Sequence, residues 1–184
     1  MSPRRPRTPA LKERSATRRS VPVARRSKVW RAADLMGYDG PLLLDTHVWV
    51  WHLSGDTTRI DADVRTLLDR AGAASRLHVS DISYWEVAVK AAKQRITLSM
   101  DAAVWLQRAE HAPGIHFLPL DRQILLLSTR LSGTVHNDPA DRMLIAAAQI
   151  NNLPLGTAGR LIIEYAQSVH GTPVVDVRIS VQCP

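Results

Sequence analysis

Between residues 41 and 178, short apolar runs alternate with stretches of helical periodicity, and this alternation constrains the fold more than any other feature. The runs are 41–45 (PLLLD), 77–80 (LHVS), 115–120 (IHFLPL), 153–157 (LPLGT) and 173–178 (PVVDVR). Each is too short for a stable helix and reads as a strand. Helical patterns fill the gaps. In 61–74, Val64, Leu67, Leu68 and Ala71 fall at i, i+3, i+4 and i+7. Others cover 82–94, 101–110, 121–131, 139–151 and 158–169. Strands separated by helices predict an α/β fold, a three-layer α/β/α sandwich around a mainly parallel sheet of about five strands.

Charge divides the chain. The formal net charge is +7, but residues 1–35 carry 11 Lys+Arg against 2 Asp+Glu, while residues 36–184 carry 13 against 15. The part with alternating patterns is therefore mildly acidic, and the high whole-chain pI says little about a nucleic-acid partner. Residues 1–38 read as a disordered basic arm, or as upstream sequence from an over-long gene start. The folded domain is expected over 39–180, with a tail at 181–184. The single cysteine, Cys183, excludes an intramolecular disulfide and a multi-Cys zinc site, which suits a reducing cytoplasm. No apolar run reaches the roughly 20 residues of a membrane span.

Three acids lie where apolar side chains are expected. Asp45 ends the Leu42–Leu44 run, at the strand end where open parallel sheets gather ligands. It would also serve as a cap for a helix starting near His47. Glu86 shares a stripe with Ile82, Trp85 and Val89. Ser83-x-x-Glu86 also fits a capping box, which would turn Glu86 back on the backbone. Asp138-Pro139 is a helix start, and capping explains Asp138 adequately. Asp141, three residues later, heads the face of Leu144, Ile145 and Ala148. Were the three acids to converge, each pair at ~5 Å would cost roughly 3 kcal/mol at an effective dielectric of ~20. A divalent cation would offset that cost. All-oxygen ligands favour Mg²⁺ or Mn²⁺, and the matching chemistry is phosphodiester hydrolysis.

The segments LLLDTHVWVW, SDISYWEVAVKAAKQRITL, HNDPADRMLIAAAQ and LPLGTAGRLI resemble, in order and spacing, the PIN-domain ribonuclease toxins of the VapC type, from type II toxin–antitoxin pairs. The likeness covers about residues 41–178. It implies metal binding by Asp45, Glu86 and Asp141, with Asp138 alongside in catalysis, and a water activated for attack on RNA phosphate. It also implies a cognate antitoxin of the VapB type and a homodimer. One position departs: the family commonly has an acid where this chain has Gly159. The alternative is therefore a PIN-like module that binds antitoxin or RNA with weak or lost catalysis.

Other residues take supporting places. Thr157 can orient a metal-bound water, and Arg142 can pair with a site carboxylate or phosphate. Lys90, Lys93 and Arg95 are candidates for the RNA backbone. His47 faces substrate or packs. It stands where a haloacid-dehalogenase phosphatase needs a second Asp, which counts against that reaction. No P-loop is present to suggest a nucleotide triphosphatase. His136 reads as a surface loop residue. Trp49, Trp51, Trp85 and Trp105 could stack bases, but on apolar helix faces they read as core or dimer packing. Deleting residues 1–35 is expected to leave folding and metal binding unchanged.

Overall fold

Leu42, Leu43 and Leu44 form strand β2 and are buried on both sides of a sheet. Side chains alternate along a strand, so Leu42 and Leu44 pack into one apolar layer and Leu43 into the other. The computed structural model describes residues 29–179 apart from 36, 170 and 172. The expected arm up to residue 28 and the tail at 181–184 lie outside the described residues.

The sheet has six strands: β1 (Val29–Trp30), β2 (Leu42–Leu44), β3 (Leu77–Ser80), β4 (Ile115–Leu118), β5 (Leu155–Thr157) and β6 (Val174–Asp176). Their order is β1-β6-β5-β2-β3-β4, and every pairing is parallel. Seven α-helices are present among the described residues: α1 (Thr46–Leu53), α2 (Ala62–Ala73), α3 (Asp81–Ala92), α4 (Ala102–Glu110), α5 (Arg122–Ser128), α6 (Pro139–Asn151) and α7 (Arg160–Ser168). Helices α1, α2 and α4 bury Trp49, Leu68 and Trp105 against Leu42, Leu77 and Val79. On the other face α5, α6 and α7 bury Ile124, Ile145 and Ile162 against Leu43 and Leu155. The expected sandwich is present, with one strand more than expected.

The extra strand is β1. Val29 aligns with Val174 and Trp30 with Val175, and a 3-10 turn at Ala32–Leu35 follows. Leu35 is 3% exposed, and the Trp30 ring lies 5.6 Å from that of Tyr38. The boundary expected at residue 38 therefore falls too late: 29–35 belong to the fold. Two apolar residues amid arginines carry no periodicity, so only the neighbouring strand reveals them. The expectation for a deletion through residue 35 reverses accordingly. Compared with a chain starting at residue 29, one starting at residue 36 should lose about 2–4 kcal/mol from the burial of Leu35 and Trp30. That lowers Tm by roughly 5–10 °C in a thermal melt; equal melting temperatures would place β1 outside the folding unit.

Candidate active site

β2 sits between β5 and β3, and the connections leave it in opposite directions. This is a topological switch point, where the strand ends open a crevice. Asp45 follows β2 there and Thr157 ends β5. The Asp45 amide donates to the Gly156 carbonyl at 2.9 Å, which fixes the Asp45 backbone against β5. The side chain is 5% exposed. Its Oδ1 accepts the His47 amide at 3.4 Å, so it caps α1, and its Oδ2 accepts the Thr157 hydroxyl. Thr157 Oγ1 in turn accepts the Gly159 amide at 2.9 Å. An amide thus aims a hydroxyl, and the hydroxyl aims the carboxylate.

Glu86 lies on the second turn of α3. That helix is capped by Ser80, whose Oγ accepts the Ile82 amide at 3.4 Å. Helix α3 therefore starts before Ser83, and the capping box does not form. Instead, Glu86 Oε2 accepts the Thr46 hydroxyl at 2.6 Å, and Oε1 pairs with Lys90 Nζ at 2.6 Å. Lys90 Nζ also stands 3.1 Å from His47 Nε2. The buried face of α3 runs through Ile82, Ser83 and Val87 rather than through Trp85, which is 56% exposed.

Asp138 and Asp141 open α6. Asp138 Oδ1 accepts the Ala140 amide at 2.9 Å and the Asp141 amide at 3.3 Å, the capping role its sequence context suggests. Asp141 Oδ2 pairs with His136 Nε2 at 2.6 Å. Burial pushes the Asp141 carboxyl up to about 6; the His136 hydrogen bond opposes this, and the charges of Asp45 and Asp138 add to it. Asp45 is raised in the same way: burial is the largest cause, Thr157 and His47 oppose it, and the Glu86 charge adds to it. The Glu86 charge thus acts on Asp45, and the Asp45 charge on Asp141.

The supporting residues divide. His47 Nδ1 is 3.9 Å from Asp45 Oδ1. Arg142 turns away: its Nε donates to the Ser128 carbonyl at 2.9 Å, at the end of α5, and the guanidinium also reaches the Val135 carbonyl at 3.5 Å. Those carbonyls, rather than a site carboxylate, are its hydrogen-bond partners. Lys93 and Arg95 are exposed beyond the end of α3. Two residues were missed as site members. Thr46 is buried and holds Glu86 across 40 positions, a pairing without sequence signal. The His136 side chain is 16% exposed and grips Asp141, where a surface residue was expected.

Among the described residues, no three His, Cys, Asp or Glu side chains are grouped as a ready-made metal cage. The local partners explain this, since Glu86 is drawn to Thr46 and Lys90 and Asp141 to His136. The chemistry of the donors nevertheless fits a hard cation. Asp45 is a buried anion whose hydrogen-bond donors are a hydroxyl and an amide, which leaves its charge poorly compensated. The neighbouring carboxylates supply further oxygen ligands of the kind Mg²⁺ and Mn²⁺ take.

Residues 42–167 match the family model described as PIN domain. This chain belongs to the PIN-domain family. Ribonuclease VapC22 of Mycobacterium tuberculosis is 32% identical over 108 residues, 58% of this chain and 78% of that protein. The PIN fold is also found in the DNA-bound VapBC structure from Salmonella typhimurium, with 15% identity, a TM-score of 0.51, and coverage of 73% of this chain and 96% of that one. FitAcB from Neisseria gonorrhoeae is similar, at 17% identity, a TM-score of 0.51 and the same coverage. The PIN match spans all three carboxylates and Gly159. An ideal Cβ on Gly159 would lie 3.1 Å from Thr157 Oγ1 and 3.7 Å from Asp45 Oδ2, so a side chain there would enter the site.

Proposed function

We propose that this PIN-domain chain is a divalent-metal-dependent endoribonuclease of the VapC type, the toxin half of a toxin–antitoxin pair. The observation that carries the reading is buried Asp45 at the switch point, held by Thr157, with the Glu86 and Asp141 carboxylates near enough for charge to act between each of them and Asp45. The name of the relative Ribonuclease VapC22 supports the reaction class. Asp45, Glu86 and Asp141 would hold Mg²⁺ or Mn²⁺. Such an ion polarises a phosphoryl oxygen and makes water a nucleophile at neutral pH. The chain's own residues prepare the ground. Thr157 fixes one Asp45 oxygen, Thr46 and Lys90 fix both Glu86 oxygens, and His136 holds Asp141. Lys90 places a positive charge beside the acids, where an RNA phosphate would approach.

The partners proposed are RNA, an antitoxin of the VapB type and a second copy of the chain, in the cytoplasm. Among the described residues, no helix is long and apolar enough to cross a membrane. Exposed Trp85 and Leu126 are the apolar side chains most in need of a cover.

The purified chain, freed of bound partner, should cleave structured RNA in Mg²⁺ or Mn²⁺ and stop in EDTA. Cleavage that continues in EDTA, or none with either ion, would sink the reading. The module alternative is less favoured, because a relative 32% identical is named a ribonuclease and the three acids are all present. Gly159→Asp measures what the missing acid costs. Asp is a good N-cap for α7, and its carboxylate would enter beside Asp45. The variant should bind Mn²⁺ at least about threefold more tightly by calorimetry, with the fourth acid adding attraction for the cation. Unchanged or weaker binding would mean that the tight Thr157 contact keeps the new side chain out of the site.

A further inference from the structure

A groove of about 410 Å³ opens beside the carboxylates, between α1, the loop after it and the end of α3. Its walls include His47, Trp51, Asp56, Arg59, Lys90 and Arg95. His47 and Lys90 belong to both places: His47 contacts Asp45, and Lys90 pairs with Glu86. The remaining four play no part in the carboxylate chemistry.

The composition of the groove is specific. The Arg59 guanidinium lies over the Trp51 ring, 5.6 Å from its centre, and the His47 ring, one turn earlier on the same face of α1, is 5.8 Å from Trp51. Arg59 Nε also holds Asp56 at 3.1 Å. Arg59, Lys90 and Arg95 bring three positive charges, of which Asp56 offsets one and Glu86, paired with Lys90, another, leaving a surplus of one. Residues 36–184 have a balance of −2 (13 − 15) overall, so this positive groove stands out on an acidic domain. The indole and the guanidinium plane that extends its stack are both surfaces on which a nucleobase packs, and the surrounding cations offer what a phosphate needs. The volume falls in the usual range for a small-molecule site.

We propose that this groove is a nucleotide subsite, holding the RNA residue next to the cleaved phosphate, with its base against Trp51 and its phosphate among Arg59, Arg95 and Lys90. The proposal rests on RNA being the substrate and adds where the strand is gripped. An acidic protein segment would use the arginines but not the stacking surface, so dependence on Trp51 separates the two occupants.

Binding of a fluorescein-labelled single-stranded RNA 12-mer of mixed sequence, read by anisotropy in EDTA, tests it without requiring cleavage. The double variant Arg59→Ser/Arg95→Ser should bind about tenfold more weakly, with a salt dependence shallower by about 1–2 in log–log slope. Trp51→Leu should lose about tenfold, and Trp51→Phe should keep most of the affinity. Arg108→Ser/Arg130→Ser removes the same charge from exposed positions elsewhere and should cost less than about threefold. Equal losses in the two double variants would reduce the groove to bulk charge and overturn the proposal. Loss with the arginines but not with Trp51→Leu would leave a phosphate contact without a base subsite and overturn the proposal. Should Trp51→Leu not fold, Trp51→Phe and the arginine pair still decide. A chain that binds RNA through the groove but never cleaves it sinks the nuclease reading alone; one that cleaves while all groove variants bind as wild type sinks only this inference.

Discussion

Asp45→Asn should abolish RNA cleavage and, in metal-free buffer, make the protein more stable. Asn has nearly the same shape and caps a helix equally well. Its oxygen can still accept the His47 amide or the Thr157 hydroxyl that Asp45 holds. What disappears is a buried charge that the fold disfavours, since burial and the Glu86 charge raise the Asp45 carboxyl above its ordinary value. Tm in EDTA should therefore rise by about 2–4 °C, the change that 1 kcal/mol brings in a domain of this size. Cleavage should fall by about a thousandfold or more, equivalent to about 4 kcal/mol of lost transition-state stabilisation. Adding Mn²⁺ should reverse the order of the melts, because a cation that binds only the native wild type stabilises it by mass action. A lower Tm for the variant in EDTA would mean that Asp45 is an ordinary structural cap. Activity retained in the variant would remove it from the site.

Relative to Asp141→Asn, the metal-free wild type should lose stability as pH rises from about 4 to about 6. Burial, reinforced by Asp45 and Asp138 and opposed by His136, raises Asp141 from 3.8 to about 6. Between those values the unfolded chain releases the proton while the native protein keeps it. Stability from this group is therefore fully present below about pH 4 and is lost as pH rises through about 6. Asp45 is raised and acts in the same direction. Asp56 and Asp176 act oppositely: hydrogen bonds from Thr58 hold Asp56 low, and Arg178 holds Asp176 low against its burial. The informative quantity is thus the difference between wild type and Asp141→Asn, measured by urea unfolding in EDTA. It should change by on the order of 2 kcal/mol across that window. A flat difference would show that Asp141 has its ordinary acidity and is not crowded by neighbouring charge.

Most elements were legible because they repeat with one period. α2 and α6 bury the residues their 3.6 spacing selects, and β2 to β6 sit on the runs of branched residues. α1 was visible only as a helix start near His47. Val48, Trp49 and Val50 are all buried, so it has no polar face to reveal a period. The stripe drawn through Trp85 was wrong in register, because the choice between two apolar faces of α3 depends on how the helix docks. The acids were legible because a carboxylate on an inward face needs a reason. Thr46 and His136 were not, since a hydroxyl or imidazole on a connecting segment looks the same with or without a distant acid to hold.

Of the six described strands, β1 leaves the ribosome first and its partner β6 last. Their pair closes only after the other four strands exist. The carboxylate edge does not wait: β2, α3, α6 and β5 are complete at Thr157, before β6 begins at Val174. At translation rates of about 5–20 residues per second, the interval is roughly 1–3 s. For that time β5 is a bare parallel edge beside the assembled acids, open to pairing with another strand. β6 covers it first, and β1 then covers β6.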